Sequence, residues 1–436
     1  MILVYCEHPG PRVAYTFDVL LRRILRIQDR MELTQDPQIL AQFDGVRINY
    51  SNQFIPDCLH IPHSGFLSRS DLDPVTPGII NGMSGPCLFP VSGSPDFAYD
   101  VPAAIFWMIS RYEEYNSSHT DEHGRFKSEA SLAFKEGFLR IPIVEKWAVE
   151  LRGKLLGFFP GVEMNPRQFR FATTIDVDNG YRFRGKGWWR TLGGFGKDLW
   201  EGRPEDVLFR FNVLMGNLND PFDRYGWIAK QCAMRQLKPR FFILASPRTS
   251  FDHALSPKSR RWKELVEKIL EAGRVGIHPS YYTSSGEASL EKEMEAVAQV
   301  TRQPLTHSRQ HFLRFQWPDT FRKLVQAGIT HDHSMGYADQ VGFRAGLSIS
   351  YPFFDLTQDE VLPLTVHPFA VMESVYRFKW RVPPAEALND MRKIRDAVKS
   401  TGGKFVSVWH DKSLSRHGEG RRWAKAYATH LEWAKA

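Results

Sequence analysis

Apolar positions change their rhythm along this chain. Before about residue 160 they fall into isolated blocks, and from about residue 168 short apolar runs alternate with amphipathic stretches. In the first part, "MILVYC" and "GVRINYS" read as short buried strands, and "AYTFDVLLRRILRI" has the spacing of a helix. "VPAAIFWMISRYEEY" predicts a strongly apolar helix ending in charge, and "IVEKWAVELRGKLLGFF" predicts another. Between these two helices lies a polar, turn-rich stretch, "HTDEHGRFKSEASLAFKEG". "PGVEMNPRQ" then has the Pro, Gly and Asn of a linker. The pattern predicts an N-terminal α/β accessory domain over residues 1–160 and a second domain over residues 168–436. The chain has no internal repeat and no low-complexity tract.

In the second part "FRFATTI" and "PRFFILA" read as strands, and the helix "RWKELVEKILEAG" leads into the strand "RVGIH". "SLEKEMEAVAQVT", "LTHSRQHFL", "PDTFRKLVQAG" and "ITHDHSM" follow, and "PAEALNDMRKIRDAVKSTG" precedes "KFVSVWH". Such alternation implies parallel strands with helical crossovers, as an open sheet or a barrel. In both, reactive groups gather where strands end and loops begin. At the predicted strand ends stand Asp176 and Asp178; His278; His307, Arg309 and His311; Asp332 and His333; and His410 with Asp411. Carboxylates and imidazoles on one rim are a ligand set for Zn²⁺ or a similar divalent ion, with groups left over for proton transfer. Each element also has an ordinary explanation. An Asp-Val-Asp caps turns, and the pairs His60/His63, His307/His311 and His331/His333 match surface or hydrogen-bonded histidines as well as ligands. The order of the groups carries more than any one of them.

Composition narrows the classes. A chain of 436 residues exceeds one ordinary core, and 42% hydrophobic with 24% charged residues is the balance of a soluble globular protein. No apolar stretch approaches the roughly 20 residues that span a bilayer. The N-terminus shows neither a basic leader nor a cleavage site. The four cysteines lack metal-type pairing, which fits free thiols in a reducing compartment. The formal charge of +8 is densest in "YRFRGKGWWR", where Arg182, Arg184, Lys186 and Arg190 surround Trp188 and Trp189. That stretch suits an anionic partner, or a solvated loop with a tryptophan anchor.

The second part resembles the polysaccharide deacetylase (NodB-homology) superfamily of carbohydrate esterases. Thr174-Ile175-Asp176-Val177-Asp178 stands for that family's Thr-Phe-Asp-Asp-Gly motif, and "AGRVGIHPSY" matches its second motif as far as His278. Arg309-Gln310-His311-Phe312 stands for its Arg-Pro-Pro-Tyr motif, "DHSMGYADQVGFRAG" for its fourth segment, and "FVSVWHD" for the last, with His410. "FWMISRYEEY" and "DEHGRF" resemble the N-terminal domain joined to deacetylase-like proteins of bacterial surface-polysaccharide clusters. There are two departures. Tyr282 occupies the place of the usual second metal histidine, and the first motif is one residue longer. Because strand side chains alternate, that extra residue turns both acids the same way.

The resemblance implies an α/β fold with a deformed (β/α) barrel, and a metal-dependent hydrolase that removes an acetyl group, an N-acetyl by preference, from a sugar of a surface polysaccharide or its biosynthetic intermediate. One divalent ion, zinc, is expected on Asp178 and His278, with His311 completing the set. Asp176 is expected as general base, Arg309 as the group that orients it, and His410 as the acid for the leaving amine. Asp411 either tunes His410 or caps the following turn. For the sugar, Trp188, Trp189, Trp317, Trp409 and Tyr282 are the expected contacts. The expected location is the cytoplasm, with no nucleic acid partner and a peripheral contact with the inner membrane or a lipid-linked sugar. Residues 1–150 are a docking surface, a substrate lid or a structural cap. Three further readings stay open: a D-x-D glycosyltransferase using Asp176 and Asp178, a metal phosphoesterase with two carboxylate-bridged metals, and a catalytically impaired sugar-binding homologue.

Overall fold

The computed structural model describes residues 1–94 and 96–436. The first apolar block forms β1 (Ile2–Cys6), every residue of which is buried. It pairs in parallel with β2 (Met31–Thr34) and β3 (Val46–Tyr50), and β3 pairs in parallel with β4 (Leu59–His60). A hairpin of β5 (Ile79–Gly82) and β6 (Gly85–Leu88) follows. The apolar block Val101–Ile109 is a helix with all nine residues buried, because it runs through the core rather than over it. Asp100 caps its start, accepting from the backbone N–H of Ala103 and from the Tyr50 hydroxyl.

The second part is built on a nine-stranded sheet. Its strands are β7 (Arg170–Val177), β8 (Arg240–Ile243), β9 (Arg274–Ile277), β10 (His307–Ser308), β11 (His331–Asp332), β12 (Tyr351–Asp355), β13 (Glu360–Val366), β14 (Val371–Met372) and β15 (Lys404–His410). Their order is β12-β13-β11-β10-β9-β8-β7-β15-β14, with every pair parallel except β12–β13. The chain therefore winds in one direction from β7 to β11, as helical crossovers require. Among the described residues no pairing joins β14 to β12 or β13, so the expected deformed barrel is a mixed α/β sheet that stays open along that seam. The β12–β13 hairpin has no counterpart in the sequence reading. Its turn is held by the Asp355 carboxylate, which accepts from Thr357.

The exposed stretch at residues 160–168 separates the two parts in sequence, yet one continuous hydrophobic core runs through both. Buried charge joins them as well. Glu114 takes Arg111 (2.7 Å) from its own helix end and Arg344 (2.9 Å) from the second part. Burial opposes its ionisation, but the two guanidinium groups outweigh burial and hold its pKa at about 2. Gly346 is left-handed (φ +69°) where the second part turns against Met108 and Val144, and a side chain there would strike both.

Candidate active site

β7 delivers its acids at its C-terminal end. Asp176 is the last but one residue of the strand and Asp178 lies just beyond it, so both reach the same cleft. Neighbouring strands end at the same rim: β9 before His278, β10 before Arg309 and His311, and β15 at His410. The Nε2 atoms of His278 and His311 lie 3.5 and 3.8 Å from Asp178 Oδ1. Among the described residues this Asp, His, His group alone has potential metal-donor atoms all within 4.8 Å of one another. Ligand atoms of a tetrahedral zinc, with bonds of about 2.0 Å, stand roughly 3.3 Å apart.

The residues fit such an ion on three counts. Asp178 Oδ1 is buried without a hydrogen-bond partner, a costly state unless a cation takes it. His278 turns its Nδ1 to the Arg309 carbonyl, and His311 turns its Nδ1 to Asp252 Oδ1 at 2.8 Å, so each presents Nε2 to the cleft. Asp178 also stays ionised, as a metal ligand must. Burial opposes charge on both Asp178 and His278, yet Lys412, then His410, hold the Asp178 pKa well below its usual value. The charges and hydrogen bonds around His278, led by Asp176, raise its pKa.

Asp176 has a different neighbourhood. Its Oδ1 accepts from Arg309 Nη1 at 2.7 Å, and the same nitrogen donates to Thr174 Oγ1 at 2.9 Å. Its Oδ2 faces His410 Nε2 at 4.0 Å. His410 Nδ1 is held by both Glu373 oxygens, at 3.0 and 2.9 Å. Burial lowers the His410 pKa, but the Glu373 charge, the Asp178 charge and the hydrogen bond to Glu373 together outweigh it and bring the value to about 9. Asp411 caps rather than tunes: its Oδ2 accepts from the backbone N–H groups of Asn179 and Gly180, turning the chain away after β7.

The cleft is a cavity of about 190 Å³, and one wall comes from the N-terminal part. His123 and Arg125, in the polar stretch between the two apolar helices, line it. Arg125 Nη1 donates to the Phe312 carbonyl at 2.8 Å, and His123 Nδ1 meets the Tyr281 hydroxyl at 3.1 Å. Phe312 and Leu313 follow His311 in left-handed conformations, with φ of 59° and 55°. Such strain costs on the order of 1–3 kcal/mol per residue and is held in place by surrounding packing.

The aromatic candidates lie elsewhere. Trp409 is fully buried beside Tyr427 and Trp423, because its strand position points away from the face that carries His410. Trp317 stacks on Phe321 and Phe353, and its Nε1 donates to Glu114 at 3.0 Å. Tyr282 packs beside Tyr281 and Phe251 behind the cleft wall. Trp188 and Trp189 stack on each other, 61% and 70% exposed, outside the cleft. The buried Asp220 accepts from the backbone N–H groups of Arg182, Phe183 and Arg184 and fixes the segment that leads into their helix. His307 and His331 begin their strands, away from the rim; His333 follows β11, but its ring meets His307 Nδ1 through Nε2 and does not line the cleft; His60 bonds the Ser51 carbonyl while His63 meets Glu7. Asp332 is buried under hydrogen bonds from Ser308 and Ser334.

Three groups at the site went unread in the sequence. Lys412 Nζ lies 3.3 Å from Asp178 Oδ2, two residues after His410. Glu373 follows the apolar run "FAVM", so the strand-end rule could have found it. Asp252 sits in an irregular loop with no periodic signal.

A family of unknown function (DUF7033) matches residues 2–160. No curated protein matches the chain. Among solved structures the chain is similar to a protein described as a polysaccharide deacetylase from Mycobacterium smegmatis, at 15% identity over 62% of this chain and 85% of that one, with a TM-score of 0.41. It is similar to a polysaccharide deacetylase from Bacillus cereus at 11% identity, over 60% and 87% of the two chains, with a TM-score of 0.30. It is also similar to a family 4 carbohydrate esterase from Streptomyces lividans at 11% identity, over 60% and 89%, with a TM-score of 0.27.

Proposed function

We propose that this protein is a metal-dependent hydrolase that removes an acetyl group, by preference an N-acetyl, from a sugar of a surface polysaccharide or its biosynthetic intermediate. One observation carries the reading. A single cleft holds a ligand triad (Asp178, His278, His311), a carboxylate steadied by arginine (Asp176 with Arg309) and a histidine steadied by carboxylate (His410 with Glu373). Zinc suits that donor set. When bound, it would polarise the acetyl carbonyl and acidify a water.

The remaining work falls to the chain. Asp176 is the base that takes a proton from the attacking water, and Arg309 keeps one of its oxygens occupied so that the other faces the cleft. His410 donates from Nε2 to the leaving amine. Glu373 holds its Nδ1 and keeps the ring protonated at neutral pH, as an acid in this position requires. Arg125 and His123 close one side of the cleft and limit the entry of water. Arg125, Lys379 and Lys412 make the lining basic, which favours a substrate with a phosphate or other anionic group.

A D-x-D clamp fits less well, because it needs both carboxylates on one ion and Asp176 is already committed to Arg309. The test is acetate release from a panel of N-acetylated sugars, with metal supplied and then chelated. Release that stops on chelation and returns with zinc is expected. Bound glycan without acetate release in the zinc-loaded protein would favour the catalytically impaired homologue.

Location belongs to the same proposal. Cys6, Cys58, Cys87 and Cys232 are buried and unpaired, as in a reducing cytoplasm. Among the described residues no helix is long and apolar enough to cross a membrane. The helices Trp188–Trp200 and Pro204–Leu214 nevertheless expose Trp188, Trp189, Leu199 (63%), Trp200 (92%) and Leu208 (65%) beside the basic stretch at residues 182–190. Tryptophan and leucine next to arginine and lysine suit peripheral contact with an anionic lipid surface, and so a lipid-linked substrate.

A further inference from the structure

The face of the sheet that carries the catalytic groups also carries cations at its other end. Side chains two apart on a strand share a face, and residues in register on parallel strands point the same way. Thr174 and Asp176 both touch Arg309, so Arg170 lies on their face of β7. Lys404 is in register with Arg170, Arg240 with Thr174, and Arg274 with Arg240. His307 stands two residues before Arg309 and is in register with His331. The N-terminal ends of six neighbouring strands thus bring Arg170, Lys404, Arg240, Arg274, His307 and His331 to one mouth.

These cations have no counter-ion. Among the described residues none of the four Arg and Lys side chains has a carboxylate within 4.0 Å. The Arg240 guanidinium makes one hydrogen bond, from Nη1 to the Val275 carbonyl at 3.3 Å. Lys404 and Arg240 are half-buried. Burial first, and then neighbouring cations, push both of their pKa values down, Arg240 to about 10. Half-buried cations crowded together are unfavourable unless an anion joins them. The two imidazoles leave room for one. His307 uses Nδ1 on His333 Nε2 (3.0 Å) and His331 uses Nδ1 on His367 Nε2 (2.9 Å), while their rings stack at 4.3 Å. Both Nε2 atoms are left without a protein partner. A groove of about 420 Å³ opens at this mouth, lined by Lys238, Arg240, Arg274, Gln303, Thr306 and His307.

We propose that this mouth is a second binding site, for a phosphate-type oxyanion, at the opposite end of the sheet from the ligand triad. A multiply charged tetrahedral oxyanion meets the arginine forks with several oxygens at once and offsets the lysine as well, which a single carboxylate does less fully. Inorganic phosphate and the phosphate of an ester share this chemistry. The proposal depends on no part of the deacetylase reading.

The test is calorimetric titration of the full chain, stripped of metal with chelator, with inorganic phosphate and then with a sugar 1-phosphate, against sodium chloride of equal ionic strength. Saturable phosphate binding is expected, weakened at least tenfold in Arg240→Gln and in Lys404→Gln and unchanged in Asp178→Asn. Tighter binding of the sugar phosphate would identify the ester as the ligand, and equal or weaker binding would identify the free ion. Both variants should melt higher than the parent in phosphate-free buffer and lose its phosphate-dependent rise in Tm, because removing one cation relieves the repulsion. If Arg240→Gln does not fold, Lys404→Gln decides. Phosphate binding that survives both substitutions, or that matches chloride in effect, overturns the proposal.

Discussion

Replacing Glu373 with glutamine should move the alkaline limit of activity. Glu373 keeps both oxygens on His410 Nδ1, and its charge is the leading reason that the ring titrates at about 9 despite burial. An ordinary histidine titrates near 6.5, so the difference of about 2.5 units corresponds to about 3.4 kcal/mol in favour of the imidazolium. Glutamine keeps the shape and removes the charge. Burial then acts against Asp178 alone among the main influences, and the pKa should fall to about 6.5 or below. At pH 8 the protonated fraction would drop from about 90% to about 3%, so the rate limited by proton donation should fall about 30-fold there, and much less at pH 6. The assay is the pH dependence of kcat on an acetylated sugar, paired with an NMR titration of the His410 ring. The parent should lose activity as pH rises through about 9 and the variant near 6.5. Stability should follow the same sign. A pKa raised by folding stabilises fully below the unfolded value and loses that contribution as pH rises through the folded one, so the gap in Tm between parent and variant should close above about pH 9. A variant that keeps metal and fold but also keeps its alkaline limit near 9 would refute this account of the pair.

Asp176→Asn should retain zinc by elemental analysis and lose roughly 10²–10⁴-fold in kcat, the range that general base catalysis supplies, whereas Asp178→Asn should lose zinc first and activity with it. If Asp176→Asn is as active as the parent and Asp178→Asn keeps its zinc, the two acids are only a capping turn. Asp252→Asn should weaken zinc binding by roughly 10–100-fold, because His311 loses the carboxylate that aims its Nε2; unchanged affinity would show that His311 needs no such support. Trp188→Ser combined with Trp189→Ser should abolish flotation with phosphatidylglycerol vesicles and leave acetate release from a soluble sugar intact. Undiminished flotation would remove the helix pair from any lipid contact.

Much of the site was legible because it rests on local rules. The alternation of strand side chains puts Asp176 and Asp178 on one side whatever the surroundings, and the end of an apolar run marks where His278 and His410 leave the sheet. Those features depend on chain geometry within a few residues, and periodicity reports that directly. The partners that set each group's chemistry lie far away in sequence. Glu373 is 37 residues from His410 and Asp252 is 59 from His311, and neither spacing has a period to detect. Only the closing of the long loops brings them together. The same holds for the wall formed by His123 and Arg125, which exists because the N-terminal part shares its core with the sheet. Tryptophan was the least legible residue. Its composition suits a sugar cleft, a core or a surface equally well, and packing alone buried Trp409, stacked Trp317 on two phenylalanines and left Trp188 and Trp189 in solvent. The row of cations at the far mouth was written in the sequence one residue per strand, but only the strand register turns those scattered charges into neighbours. Registry is a property of the assembled sheet, because it is chosen by which apolar faces can be buried together.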